Sequence, residues 1–322
     1  MQVNRLEFER VVKRDRIVHA IDTEKVKCDK TSIQTMYKDL NEKKPDVLKR
    51  LYSEYKYAGK TAVNIFEAPD FPFELNNKDA FLKHIKGKLG INSRVTGIEF
   101  RPVLSLMPKI NFVDDLGDAI LIQWVSGEPK VGWSGYEVVE QIKPSFEIML
   151  IRFGSPVFVE VRSGYTNSRK FLNHFEQLIS TDERGIISIN WLPVTQVTEK
   201  EAEKIASILN AGLLESEVIG EGCIGRLSLS AAPGIEDLNE QQQYRDMVSG
   251  RAYLSQVFHV NYQELDTGYS TKVKFRINHK GGFEFKNKVS ERIIRRILDV
   301  FVEVRYGFES KTDSDGNEAV GL

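Results

Sequence analysis

The sequence predicts an α+β fold: antiparallel sheets backed by helices, built on recurring ββα units, with a small helical region at the N-terminus. Three observations predict it. A strand–turn–strand–helix order runs through residues 144–180 and returns in residues 270–305. The turns inside these units are too short for the crossover that parallel strands require. The strands come in pairs, and each group is followed by a helix.

In the first unit, residues 146–152 and 157–162 read as strands around a Gly154-Ser-Pro156 turn. A helix follows, carrying Phe171, Leu172, Phe175, Leu178 and Ile179 on one face. In the second, residues 273–277 and 283–285 flank a turn at His279-Lys-Gly-Gly282. Its helix carries Ile293, Ile294, Ile297, Leu298 and Phe301. The repeat is one of pattern, not of identity.

The remaining elements follow in chain order. Leu6, Val11, Val12, Ile17 and Val18 fall at helical spacing among charges. Pro45 suits a first helical turn, and Val47, Leu48, Leu51, Tyr52 and Tyr55 give that helix an apolar face, ended by Gly59. Two or three helices are therefore expected over 1–60. Residues 61–66 read as a strand. Asn77 reads as the N-cap of a helix with Phe81, Leu82, Ile85 and Leu89, stopped at Gly90. Residues 95–100 and 119–124 read as strands, the second apolar enough to be buried on both faces. Residues 127–135, rich in Gly and holding Trp133, read as a loop. After the first unit, 185–192 reads as a strand, and Thr198-x-x-Glu201 as a capping box for a helix closed by Gly212. Residues 224–229 and 253–262 read as strands, and 233–249 as a surface helix or long loop. The tail from 309 reads as disordered.

This divides the chain into a helical region (1–60), two α+β halves (61–182 and 183–308) and the tail (309–322), with a boundary near residues 182–185. A single pseudo-symmetric body is the alternative.

Composition limits the function. The chain has 322 residues, 41% of them hydrophobic and 28% charged, enough for one large domain or two ordinary ones. Its 45 basic and 46 acidic residues leave a net charge of −1. No global field draws nucleic acid or anionic membrane to it, so such a partner must meet a local patch. The two cysteines, Cys28 and Cys223, form no CxxC pair, which argues against a disulfide framework or structural zinc. The charged N-terminus does not resemble a signal peptide, and no apolar run reaches the ~18 residues of a membrane span. A cytoplasmic or otherwise intracellular protein without membrane contact is expected.

Several motifs bear on chemistry. Asp114, Asp115 and Asp118 stand ahead of an expected strand, where carboxylates could hold Mg²⁺. With Glu128 and Lys130 downstream, Asp115 and Asp118 fall in the order used by restriction-type nucleases, although Glu128 and Lys130 flank a proline; a solvated Asp-Gly turn is the simpler reading. Arg14 with His19, and Arg169 with His174, fit the loose R-x₄-H pattern of helical ribonucleases. Gly59-Lys60-Thr61 lacks the upstream Gly and preceding strand of a phosphate-binding loop. The last helix holds Arg292, Arg295 and Arg296 outside its apolar face. Lys272, Lys274, Arg276, Lys286 and Lys288 lie along the preceding hairpin. On one surface these would track phosphates; apart, they are ordinary solvated charges. Trp124 and Trp133 with the Gly-rich stretch between them suit a ligand cleft or a protein interface, or simply cover a sheet edge.

The sequence thus favours a non-enzymatic interaction protein, a subunit of a larger assembly that binds a protein partner or itself. A nucleic-acid-binding face at the C-terminal hairpin and helix is compatible with this. A metal-dependent nuclease or phosphodiesterase is the alternative.

Overall fold

Caps set the N-terminal helices. Asn4 accepts from the backbone N–H groups of Leu6 and Glu7 and opens α1 (Arg5–Val11). After α2 (Arg14–Thr23), Ser32 accepts from Thr35 N and opens α3 (Ile33–Lys43). Pro45 takes the first turn of α4 (Pro45–Tyr55), where no N–H is needed. The computed structural model describes residues 3–59, 61–180, 185 and 187–307. The tail expected over 309–322, Lys60, and most of the boundary expected near 182–185 lie outside them.

Among the described residues, the helical region holds four helices rather than two or three. Extended backbone at Val12 and Lys13 breaks one apolar run into α1 and α2. Phe8, Val12, Ile17, Ile21, Leu40, Leu48 and Leu51 make their core, while Leu6 faces solvent.

The chain forms two compact units, one of Met1–Thr61, Gln196–Lys280 and Glu284–Leu322, the other of Ala62–Thr195 and Gly281–Phe283. The second unit contains β1 (Ala62–Ala68), α5 (Lys78–Lys88), β2 (Lys109–Asp115), β3 (Ile120–Trp133), β4 (Val138–Arg152), β5 (Val157–Val161), α6 (Tyr165–Ile179) and β6 (Leu192–Pro193). Its strands lie in the order β2-β3-β4-β5-β1, each neighbouring pair antiparallel, with β6 also on β1. Ile120, Ile122, Trp124, Met149, Ile151, Val157, Val159 and Val161 point to one face. There they join Phe81 and Ile85 of α5 and Phe171, Leu172, Phe175 and Ile179 of α6. Asn77 caps α5 through Ala80 N, as the sequence indicates. Residues 119–122 and 124–125 are all buried, so β3 is covered on both faces there.

Three expectations fail in this unit. Residues 95–100 contribute only an isolated bridge, Glu99 to Phe112. Of the described residues in 185–192, only Leu192 joins a strand. Residues 127–133, expected as loop, continue β3.

In the other unit, Thr198 and Glu201 close a capping box on α7 (Glu199–Ile208). There follow β7 (Gly212–Ile219), β8 (Arg226–Ser230), α8 (Gln242–Val248), β9 (Tyr253–Gln263), β10 (Ser270–Asn278), β11 (Phe283–Phe285) and α9 (Glu291–Tyr306). The strand order is β11-β10-β9-β7-β8. Gly212 does not close α7 but starts β7, which the sequence reading missed. Both ββα units form: β4-β5-α6 and β10-β11-α9. The α+β class with antiparallel sheets therefore holds. No described helix is long and apolar enough to cross a membrane.

Candidate interaction surface

β3 and β4 are longer than the strands beside them. β2 pairs with β3 only as far as Val125, and β5 pairs with β4 only between Met149 and Arg152. The β3–β4 pairing continues to Trp133 opposite Val138. Beyond Ser126 and Ser145 a two-stranded ribbon therefore runs on, with strand neighbours on neither side among the described residues apart from one bond, Gly127 N to Ser105 O at 2.7 Å. A tight turn closes its tip. Ser134 N donates to Glu137 O, and Gly135 takes φ +96° at the first central position, a conformation that favours glycine there.

Register decides what each face carries, because paired residues point the same way. The pairs Val125–Phe146, Gly127–Pro144, Pro129–Ile142, Val131–Glu140 and Trp133–Val138 face one side. Ser126–Ser145, Glu128–Lys143 and Lys130–Gln141 face the other. The ribbon is amphipathic; Leu104 and Ser105 lie against its apolar face at Gly127, and beyond them the face is bare: Val131 is 67% exposed, Trp133 71% and Ile142 62%. Val138, Phe146 and the tip residue Tyr136 are exposed as well. The five apolar side chains other than Tyr136 leave on the order of 600 Å² in water, at or above the largest patch of a typical monomer. By contrast Trp124 and Trp191 are buried.

The prolines fit this geometry. Gly127 N points away from β4, toward Ser105, so the Gly127–Pro144 and Pro129–Ile142 pairs direct their backbone groups outward. Pro129 and Pro144 thus lack only outward N–H groups. The ladder inside the ribbon stays intact, and its two edges are blunted against further strands.

At the ribbon's root, on the polar face, Glu147 lies opposite Trp124. Asn167 Nδ2 donates to its Oε1 at 3.2 Å. Burial pushes the Glu147 carboxyl up to about 7; a hydrogen bond from Ser163 works against the rise, and the nearby Glu128 adds to it. Glu128 itself is exposed. The Ser145 hydroxyl and then Lys130, 3.2 Å away, hold it below the usual carboxylate range.

The carboxylates proposed for Mg²⁺ do not converge. Asp114 and Asp115 end β2, and Asp118 sits in the turn before β3. Asp115 accepts from Gly117 N and pairs with Lys78 at 3.1 Å, and these contacts lower its pKa. Glu128 and Lys130 lie eight and ten residues beyond the start of β3 along an extended strand, on the order of 26 and 33 Å from it. Among the described residues no group of three or more His, Cys, Asp or Glu is placed to hold a metal ion. The R-x₄-H pairs are likewise split. Arg14 donates to Lys30 O, whereas His19 lies against the Tyr269 ring. Arg169 covers the Phe66 and Tyr165 rings, whereas His174 meets Gln177.

The cations named for nucleic acid form two rows. Lys272, Lys274 and Arg276 alternate along β10 with Val273, Phe275 and Ile277, which are buried. They therefore point to the opposite face of the sheet. Lys272 pairs with Glu236 at 2.6 Å, and Lys274 lies near enough to the same carboxylate to lower its pKa. Arg276 lies 3.6 Å from Glu284 and 3.9 Å from Glu215. Lys286 pairs with Glu284, and Lys288 donates to Glu9 O while burial lowers its pKa. On α9, Arg295 and Arg296 are exposed, and Arg292 pairs with Asp266.

The sequence reading named Trp133 but missed Val131, Val138, Ile142 and Phe146 as one stripe. The signal was there, every second residue from 125 to 133 and from 138 to 146, broken up by Gly127, Pro129, Glu140 and Pro144. Comparison with protein-family models, curated proteins and solved structures finds no match to this chain.

Proposed function

We propose that this chain is a non-enzymatic interaction protein, a subunit of a larger assembly, that docks through the apolar face of the β3–β4 ribbon. One observation carries the reading: an amphipathic ribbon leaves its apolar face in water although an isolated two-stranded hairpin is barely stable by itself. A partner surface laid on that face removes the apolar area from water and steadies the ribbon at once.

The test compares wild type with a Val131→Ser, Trp133→Ser, Ile142→Ser variant in extracts of the native cell. Wild type is expected to migrate well above its 36.8 kDa monomer mass, and the variant close to it, with unchanged circular dichroism. Equal migration of the two would remove the ribbon from the docking role. A nucleic-acid partner is the weaker reading, because Lys272, Arg276, Lys286 and Arg292 already face carboxylates of their own chain.

A further inference from the structure

Resting on the docking role of the ribbon, we infer that its occupant is a second copy of this chain, the two ribbons lying face to face and antiparallel about a twofold axis at the Pro129–Ile142 pair. Three features point there. The first is area. The bare stripe, on the order of 600 Å² before Tyr136 and the prolines are counted, approaches the ~800 Å² that each partner contributes to a standard interface. The second is the edges. Pro129 and Pro144 withhold outward N–H groups, so ribbons cannot add edge to edge into an open array. Face-to-face contact remains, and two copies close it.

The third is charge. Two charged side chains stand on the apolar face, at opposite ends: Glu140, beside Val131, and Lys109, beside Val125. Lys109 is exposed and donates to Val103 O. With the ribbons parallel, the two Glu140 carboxylates would lie at the same level of a dry interface. With the ribbons antiparallel about the Pro129–Ile142 level, the Glu140 of one copy meets the Gly127–Pro144 level of the other. Lys109, on β2, is two residues along and two strands to the side of that level, on the order of 12 Å away in the plane of the sheet, so the opposite charges attract across the interface without pairing while the two Glu140 carboxylates are set apart. The same arrangement sets Val138 of the tip over the exposed Phe146 of the root and brings Trp133 toward Leu104, which lies against Gly127. A membrane surface fits less well, since Glu137 and Glu140 flank the aromatic tip.

The experiment uses the full chain with Cys28→Ser and Cys223→Ser. Sedimentation equilibrium is expected to show a dimer at micromolar concentration. Under mild oxidation Ile142→Cys is expected to cross-link to its own mate, being next to the axis. Val138→Cys alone should not, but should cross-link when mixed with Phe146→Cys. Glu140→Gln should leave the dimer affinity within about twofold of wild type; a gain of tenfold or more would mean that the two carboxylates face each other and would overturn the antiparallel arrangement. Cross-linking of Val138→Cys to itself would overturn the antiparallel arrangement. A protein that stays monomeric at tens of micromolar would overturn the second copy as occupant. In that case the migration of wild type and the serine variant in native extract still decides whether the ribbon docks on something else.

Discussion

Arg16 is 2% exposed and lies between two carboxylates, with its Nη2 3.1 Å from Glu54 and 3.3 Å from Glu264. Its guanidinium carbon lies 5.1 Å from the centre of the Tyr269 ring. Burial raises the Glu54 pKa in spite of the pull of Arg16. Arg16→Met should cost about 3–5 kcal/mol in urea unfolding, because it removes the guanidinium that both acids contact. A cost under about 1 kcal/mol would mean that water reaches the site. Glu147 gives a pH test. Its carboxyl has an ordinary pKa of 4.5, and about 7 in the folded protein. Over that window the folded state holds the proton more tightly than the unfolded chain, so the stability it contributes falls as pH rises from about 4.5 to about 7. Glu147→Gln should abolish that part of the pH dependence, read as the difference between the two melting temperatures at pH 5 and at pH 8. Parallel curves for the two proteins would place Glu147 in free solvent. Glu160 works in the opposite sense: burial pushes it up, but Arg162 and Arg152 pull it lower overall, so its contribution is lost in acid.

At the scale of elements, the ribbon depends on what its prolines leave out. Pro129→Val with Pro144→Val restores two outward N–H groups on exposed strands. The variant should fold as wild type does but aggregate faster, with thioflavin-positive material appearing first at neutral pH. Unchanged aggregation would mean that the edges are protected otherwise. A second close fit holds the hairpin turn at Gly281. A Cβ there would lie 2.8 Å from the Tyr165 ring, and φ is +108°. Gly281→Ala should destabilise, and Tyr165→Ala should recover only part of that loss, since the backbone strain remains. The elements legible in the sequence were those with a strong local signal. Asn77, the Thr198–Glu201 box and Pro45 fix helix starts by hydrogen bonding or ring geometry, and all three stand where expected. The missed elements obey non-local rules. β7 begins at a glycine that a helix seemed to need, and 127–133 is a strand because β4 pairs with it, against the turn preference of Gly and Pro. Whether Val131 and Ile142 meet depends on register, which is set by pairing across the hairpin and not by either segment alone. For the same reason Asp118 and Glu128 looked adjacent in order and are far apart in space.

At the scale of the whole chain, the two ββα patterns were legible because apolar periodicity survives without identity. The grouping of the N-terminal helices with residues 196–280 in one compact unit was not, since it depends on contacts such as Lys13 Nζ to Thr271 Oγ1 at 2.6 Å, 258 positions apart. Charge shows the same limit. The sequence lists eight cations in and after β10 but not the acids beside them. Glu236, Glu284 and Asp266 take up Lys272, Lys286 and Arg292, and these pairs must break before phosphates can replace the carboxylates. Binding to labelled single- or double-stranded DNA and RNA should therefore be weak, with affinity falling across a salt series no faster than release from about two phosphates requires. Arg292→Glu, Arg295→Glu and Arg296→Glu together should change it little. A slope matching six or more phosphates, lost in that triple variant, would instead make the outer face of α9 a nucleic-acid platform and give the chain a second partner besides the one on its ribbon.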